Sequence, residues 1–574
     1  MATFQTGDIV VAGYPTAHVY NFKRNSRTKK LGLSKIKHLL WGDWVKVSDY
    51  SYAADPKADL KSDAEKTATS TPPDGMVPVR VRGVSGYMYE RDLERERLLE
   101  VVFVDVGQGD GALVVTPGDK RYVVDAGKGD NMYRYLRWRF AGFSNPGDDF
   151  DGLIVTHADN DHYLGFMDLI EDTRVSASVI WHNGLVEQFG VKPDGSQSTS
   201  SKDLLGATSI SSGQLYITGL IETDKDIRDL LKDDTRWIKT TTGRPKQYPE
   251  LLNTALKAKA GNKRRFPKIE MLSTQHGEHH EGKTYLPGHS PLQNEDLTIE
   301  ILGPFVEPAS DGAPRLRAFG PKPKEKNKTL NTGKTKNGHS VLLKLNYRDM
   351  TLLLGGDLNS SAEMFLLEQY TGLPVYDPLA VSVEDIVEAA APTFRADVAK
   401  SCHHGSADFT DHFLGTINAA ATIVSSGDEE GHAHPRSDTL GALGHHGRGQ
   451  RSLIFSTELS RSSPEYTSRK DSPWYQASRL EAQAAVTTDP AKKKKLQDKA
   501  DALFERDKKL NVTVYGAINL RSDGEKVVLA YMLERPSASK RWDVYTLEAR
   551  MGGALRYLPV KEARAAEAAR RKSD

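Results

Sequence analysis

Two imidazoles and two carboxylates fall within six residues in the run Thr156-His157-Ala158-Asp159-Asn160-Asp161-His162-Tyr163-Leu164-Gly165. The run follows the apolar stretch Gly152-Leu153-Ile154-Val155, and the end of a buried strand does not tolerate that many uncompensated charges. A divalent cation is the natural compensation. In extended backbone, side chains two apart point the same way. His157 and Asp159 can therefore reach one centre, while Asp161 and His162, where the chain turns, face an adjacent one. Such a run serves two metals better than one. Taken alone, it is equally well explained as a polar turn rich in His and Asp.

The elements that must carry these residues can be read on either side. Leu98-Leu99-Glu100-Val101-Val102-Phe103-Val104-Asp105 is nearly continuous in apolar character, as a strand buried on both faces should be. Leu113-Val114-Val115 and Tyr122-Val123-Val124-Asp125 form a hairpin pair around Pro117-Gly118-Asp119-Lys120. The β pattern resumes at Leu297-Thr298-Ile299-Glu300-Ile301-Leu302 and again at Thr351-Leu352-Leu353-Leu354. Each of these apolar runs ends in Gly, Asp or His, where a strand hands over to a loop.

Five such segments occur in a telling order: Asp105-Val106-Gly107-Gln108-Gly109-Asp110-Gly111, Val123-Val124-Asp125-Ala126-Gly127, the His157 to Gly165 run, Leu354-Gly355-Gly356-Asp357-Leu358, and Lys400-Ser401-Cys402-His403-His404-Gly405-Ser406. In that order they resemble the metallo-β-lactamase-fold hydrolases, and more narrowly the soluble hydrolase domain of the ComEC competence-channel family. The resemblance implies a four-layer αββα fold of the α/β class, with two divalent ions, Zn or Mn, held by His157, Asp159, Asp161, His162, His339, Asp357 and His403 or His404. Asp357 would bridge the ions. The family has Asn near the position of His339, and this chain offers both Asn337 and His339. Asp105 and Asp110 would lie behind the ligands, and Asp125 would orient an imidazole or water. Asp161, His403 and His404 are the catalytic candidates, whichever of His403 and His404 is not a ligand facing the leaving oxygen. Lys400, Ser406 and His434 are candidates for the substrate side.

The segment before Glu94 reads as a separate small β module. Asp8-Ile9-Val10-Val11-Ala12, Trp44-Val45-Lys46-Val47, Val77-Pro78-Val79-Arg80-Val81 and Gly86-Tyr87-Met88 are short β-rich runs, and residues 41–47 and 83–87 are similar to bacterial Src-homology-3-like barrels. Such a module would dock a protein partner or act as a folded spacer. Residues 53–73, rich in Ala, Asp, Lys, Ser and Thr, read as a loop. The expected organisation is a module at 1–94, a hydrolase at 95–550 with insertions at about 184–288 and 461–508, and a helical or disordered tail at 551–574. Within the second insertion, residues 474–508 read as one charged helical stretch. Leu510 to Val514 and Val527 to Tyr531 read as a closing strand pair around Arg521-Ser522-Asp523-Gly524.

Composition narrows the function classes. Lysine plus arginine number 78 against 77 acids in 574 residues, so no global field draws the chain to nucleic acid or membrane. Polyanion binding must be local. Pro321 to Lys336 carries six lysines against Glu325 alone, and Asp130 to Phe140 interleaves Arg134, Arg137 and Arg139 with Tyr133, Tyr135 and Trp138. The first is a solvated loop or a grip on a phosphate backbone; the second is a stacking groove or a plain amphipathic helix. Gln275-His276-Gly277-Glu278-His279-His280 reads as a solvated loop, and His182 as a possible extra ligand without motif support. The single cysteine, Cys402, excludes an intramolecular disulfide framework. No run of about 18 apolar residues occurs, so the expectation is a cytoplasmic protein with no membrane association.

The reading is a hydrolase, foremost a phosphodiesterase or nuclease with nucleic acid as substrate, in which metals bring the pKa of a bound water from about 15.7 toward about 7. The rivals are a small-molecule hydrolase acting on a cyclic nucleotide or ester, and a binding or regulatory protein with a vestigial metal site.

Overall fold

The computed structural model describes residues 4–143, 149–243, 245–320, 330–427, 431–461, 473–509, 512–551 and 553–559. Residues 321–329, which carry four of the six loop lysines, and the tail beyond 559 lie outside the described residues. The chain forms two compact units. One takes in Met1–Val101, Val115–Asp119 and Asn519–Glu548, the other Val102–Val114, Lys120–Ile518 and Ala549–Asp574.

The first unit holds a seven-stranded sheet whose spatial order is Leu31–Leu40, Thr16–Arg24, Val84–Tyr89, Met76–Val81, Trp44–Val47, Ile9–Ala12 and Leu93–Glu94. Alternation sets its core: Val77, Val79 and Val81 are buried with Val45, Val47 and Val10, while Trp44, Lys46 and Arg80 face out. The four β-rich runs all form strands, but the longest hairpin, Thr16–Arg24 against Leu31–Leu40, was hidden by its His, Lys and Ser content. Residues 53–73 are not a plain loop. Asp63–Ala68 is a helix capped by Ser62, whose hydroxyl accepts from Glu65 N–H at 3.2 Å, and Arg24 pairs with Glu65 at 2.7 Å.

Late in the chain Ile518–Ser522, Val527–Met532 and Trp542–Met551 pair antiparallel in turn. The turn falls at Asp523, as expected, but the strand before it begins at Ile518; Val512–Tyr515 is helical. The apolar Val and Tyr of that segment mimic a strand in composition alone.

In the second unit Ile269–Met271, Ile180–His182, Gly152–Val155 and Arg121–Ala126 lie side by side, all parallel, followed by Gly111–Val115. A second sheet of eight strands runs Glu278–His280, Lys283–Tyr285, Leu297–Gly303, Leu342–Tyr347, Met350–Leu354, Val398–Lys400, Ala421–Val424 and Leu453–Ser456. Its last four strands are parallel. Helices Ser360–Thr371 and Val383–Phe394 pack Phe365, Leu366, Ile386 and Phe394 onto Leu342, Leu353 and Ala399 of that sheet. The first helix starts at Asn359, whose side chain accepts from Ala362 N–H at 3.2 Å.

Residues 184–288 are less of an insertion than their polar composition suggests. Ile269–Met271 is a strand of the parallel sheet, and the hairpin Glu278–His280 with Lys283–Tyr285 joins the eight-stranded one. Strands this short leave little periodicity to read. Residues 473–509 form two helices, Pro473–Ala485 and Pro490–Lys509, rather than one. Among the described residues no helix is long and apolar enough to cross a membrane.

Candidate metal centre

Parallel strands of one sheet end on the same edge, and that edge is where an α/β fold can gather loops around a ligand. Asp125 lies at the end of Arg121–Ala126, and His157 just past Gly152–Val155. In the second sheet Asp357 follows Met350–Leu354, and His404 follows Val398–Lys400. The sharp turn after Lys400 holds both His403 (φ +50°) and His404 (φ +52°) in the left-handed region, a strained backbone for side chains other than glycine.

Three imidazole nitrogens converge on one carboxylate oxygen. Asp357 Oδ2 lies 3.2 Å from His162 Nε2, 3.3 Å from His404 Nε2 and 3.9 Å from His157 Nε2. All three nitrogens are buried and none makes a hydrogen bond. Asp161 Oδ2 lies 3.8 Å from His404 Nε2, and Asp159 Oδ2 lies 3.4 Å from His157 Nε2. Ligand atoms of Asp110, His162, Asp357 and His404 all fall within 4.8 Å of one another. Buried orphan imidazole nitrogens facing carboxylates form the donor set a divalent cation takes, and these residues fit one.

Behind the ligands stands a layer that fixes their rings. His162 Nδ1 is 2.8 Å from Asp125 Oδ2, which also accepts from the Thr156 hydroxyl at 2.6 Å, while Thr156 N–H donates to Asp125 Oδ1 at 2.8 Å. His404 Nδ1 is 3.1 Å from Asp110 Oδ1. The Asp125 carboxylate orients the His162 ring so that Nε2 faces inward, while His404 Nδ1 and Asp110 Oδ1, though close, make no hydrogen bond.

Two glycines let the loops close. Gly109 has φ +113°, and a Cβ there would lie 1.8 Å from the Asp161 carbonyl oxygen. The neighbouring Asp110 N–H donates to that same oxygen at 3.3 Å. At Gly165 a Cβ would lie 2.0 Å from the Ala126 carbonyl oxygen. The Gly107 to Gly111 turn is therefore a backbone brace for the Asp159 to His162 loop.

The electrostatics are those of a site awaiting positive charge. Burial alone would raise Asp110, but Lys400 and then His404 outweigh it and hold the carboxyl at about 2. Burial likewise opposes ionisation of Asp357, yet His404 and His162 bring it well below the usual carboxylate range. Burial should depress His162 and His404, whereas Asp357 and the carboxylate behind each ring push both well above the ordinary imidazole value.

The remaining expected residues are placed as follows. His404, not His403, points into the cluster; the His403 ring is 5.7 Å from His434 and 6.3 Å from His404. His339 faces away, with Nε2 2.7 Å from the Arg317 carbonyl oxygen and its ring 4.7 Å from that of Phe319. Ser340 occupies the corresponding point, 3.3 Å from His157 Nδ1, and accepts from Asp357 N–H at 3.0 Å. Asp105 is engaged by Arg461 and by Gly107 N–H at 3.2 Å, apart from the cluster. Lys400 is buried; its ammonium donates to Asp110 and, at 2.9 Å, to the Gly356 carbonyl oxygen, so it is spent inside the site. Ser406 Oγ accepts from Asp408 N–H at 3.3 Å in a local turn. Burial, then His404 and His403, lower His434 to about 4.

Lys336, expected on an exposed loop, is buried between Asp159 and Glu187, 2.5 Å from each. Arg134, Tyr133 and Tyr135 are buried in helix Asn131–Arg139, which favours the plain amphipathic helix over a stacking groove. His276 is held by Ser273 at 2.7 Å and Glu222 at 2.9 Å, and His182 lies outside the cluster. Cys402 packs against Gly355, and burial raises its thiol pKa. The residues missed from sequence are Ser340, Glu187 and the inward role of Lys336. The spacing Lys336-Asn337-x-x-Ser340 beside a strand start could have pointed to Lys336 and Ser340, and nothing local points to Glu187.

Residues 104–231 match the family model of the metallo-beta-lactamase superfamily. The chain carries a metallo-beta-lactamase superfamily domain. The match takes in Asp110, Asp125 and the His157 to His162 run; Asp357 and His404 lie outside it and are brought beside His162 by the distances above. No curated protein matches the chain. The domain and the buried His/Asp cluster together point to a metal-dependent hydrolase.

Proposed function

We propose that the chain is a metal-dependent phosphodiesterase acting on nucleic acid, with zinc or manganese as its cation and a fold of the four-layer αββα kind. The observation that carries this reading is the convergence of His157, His162 and His404 Nε2 on Asp357 Oδ2, buried and without hydrogen bonds. The donors sort into two pockets that share Asp357: Asp161, His162 and His404 on one side, His157 and Asp159 on the other. A cation held there supplies Lewis acidity and makes hydroxide available at neutral pH. Asp125 holds the ring of His162 in the tautomer that leaves Nε2 free, and Asp110 lies beside the ring of His404. His403, beside His434 at the edge of the cluster, is the group proposed to carry a proton to the leaving oxygen. Carboxylate-rich ligation and the likeness of the five motifs to the ComEC-type domain support a phosphodiester over a β-lactam. The Src-homology-3-like sheet at the amino end is proposed as a docking module for a protein partner.

One observation favours the rival small-molecule reading. Lys336 and Lys400 are turned inward and cannot grip a backbone. Cleavage of end-labelled single- and double-stranded DNA and RNA by metal-stripped protein, with Mn or Zn restored and cyclic nucleotides run beside them, decides the matter. The proposal expects metal-restored cutting of a polymer that is lost in Asp161→Ala. Turnover of cyclic nucleotides alone would transfer the site to the small-molecule class.

A further inference from the structure

The two pockets that share Asp357 are not equivalent. On the side of Asp161, His162 and His404, His404 Nε2 is 3.3 Å from Asp357 Oδ2 and 3.8 Å from Asp161 Oδ2, and His162 Nε2 is 3.2 Å from Asp357 Oδ2; the Lys400 ammonium reaches only the other oxygen, Asp357 Oδ1, at 3.7 Å, and is held off by Asp110 and the Gly356 carbonyl. On the side of His157, the only carboxylate besides Asp357 among the described residues is Asp159, and both of its oxygens are already engaged. Lys336 Nζ lies 2.5 Å from Asp159 Oδ1. The Asn337 amide, oriented so that both its polar ends find partners, donates to Asp159 Oδ2 at 2.8 Å and to the Gly333 carbonyl oxygen at 3.0 Å. Among the described residues no second imidazole completes that side, because His339 is turned to the Arg317 carbonyl and Ser340 stands near His157 instead.

Lys336 and Asn337 are neighbours on helix Thr332–Gly338, so one element delivers both donors to Asp159. Glu187 holds the same ammonium from its far side at 2.5 Å. With the side chain almost fully buried, the lysine has no alternative partner in solvent. A divalent ion bound through Asp159 would have to displace the Asn337 amide and lie against a fixed positive charge, in a site where charge repulsion is weakly screened.

We infer that Lys336 stands in for one of the two cations, so that the centre binds a single divalent ion through Asp161, His162, Asp357 and His404. Asp159 is then a positioning residue that joins the His157 loop to the Thr332–Gly338 helix. The inference rests on the reading that the cluster is a metal centre.

The test is metal stoichiometry. Full-length protein stripped with chelator is dialysed against Mn(II), desalted and analysed by atomic emission, with Mn(II) electron paramagnetic resonance on the same samples. Wild type should retain one equivalent with an isolated-ion spectrum, and Asp159→Asn should still retain one. Lys336→Met, which leaves Asp159 and Glu187 without their cation, should rise toward two. Two equivalents of similar affinity in wild type, a fall in the count in Asp159→Asn, or a folded Lys336→Met protein that stays at one would each overturn the inference. Should Lys336→Met not fold by circular dichroism, the wild-type and Asp159→Asn counts still decide. Zero equivalents in wild type would instead overturn the reading of the cluster as a metal centre.

Discussion

Asp125 Oδ2 lies 2.8 Å from His162 Nδ1 and accepts the Thr156 hydroxyl at 2.6 Å, so one carboxylate fixes both the ring that faces Asp357 and the residue that begins the ligand loop. Asparagine at this position keeps the shape but loses the negative charge that selects the tautomer with Nε2 free. Asp125→Asn should therefore weaken metal affinity by roughly 10- to 100-fold while leaving a folded protein. Competition against a chromophoric chelator measures it, and an unchanged affinity would remove Asp125 from the site.

Asp161 and Asp357 differ in what surrounds them but not in their expected consequence. Asp357 is buried beneath three imidazoles, whereas the Asp161 side chain is 22% exposed at the rim. Asp161→Ala and Asp357→Ala should each bring hydrolysis to background while the far-ultraviolet dichroism stays that of wild type. Near-normal turnover in either would displace the proposed centre.

Metal binding should release protons. Asp357 raises both His162 and His404 well above the ordinary imidazole value, so each ring holds a proton more tightly than a free imidazole does. A cation must displace these protons, and its apparent affinity should grow as pH rises. Calorimetric titration at pH 6, 7 and 8, in buffers of different ionisation enthalpy, reads both the trend and the protons lost.

A second titration belongs to the core rather than the site. Glu363 is buried in helix Ser360–Thr371, accepts from Thr410 N–H at 2.6 Å, and is pushed up by burial to about 8. Its folded-state pKa exceeds its unfolded value of about 4.5, so the folded chain binds the extra proton. The stability it contributes is full below pH ~4.5 and is lost as pH rises through ~8. Melting temperatures taken from pH 5 to 8.5 should fall with a slope that Glu363→Gln abolishes.

Gly109 tests the backbone brace. Alanine there meets both the positive φ and the Asp161 carbonyl oxygen 1.8 Å from its Cβ. Gly109→Ala should destabilise the protein by about 2–4 kcal/mol, read as a shift of the denaturant midpoint. A neutral change would mean the loop moves freely.

What could be read in the chain beforehand follows from where information sits. His157, Asp161, His162, Asp357 and the His403-His404 pair were legible because strand ends concentrate charge where an apolar run predicts none. Strands Gly152–Val155 and Met350–Leu354 were legible as uninterrupted apolar runs. The orientation of a side chain at a loop start was not. His339 and Ser340 are adjacent, and packing against Phe319 decides which of them faces the site. Lys336 looked solvated beside its loop neighbours because its two partners, Asp159 and Glu187, come from distant parts of the chain. Short strands such as Ile269–Met271 draw their stability from neighbours in the sheet rather than from their own pattern.

The most direct test of the central claim is hydrolysis of bis(p-nitrophenyl) phosphate by protein stripped of metal and reconstituted with Mn or Zn, alongside Asp357→Asn. The expected result is turnover that appears only with metal, in proportion to the metal bound, and that is absent from the variant. Equal rates with and without metal, or an Asp357→Asn protein as active as wild type, would contradict it.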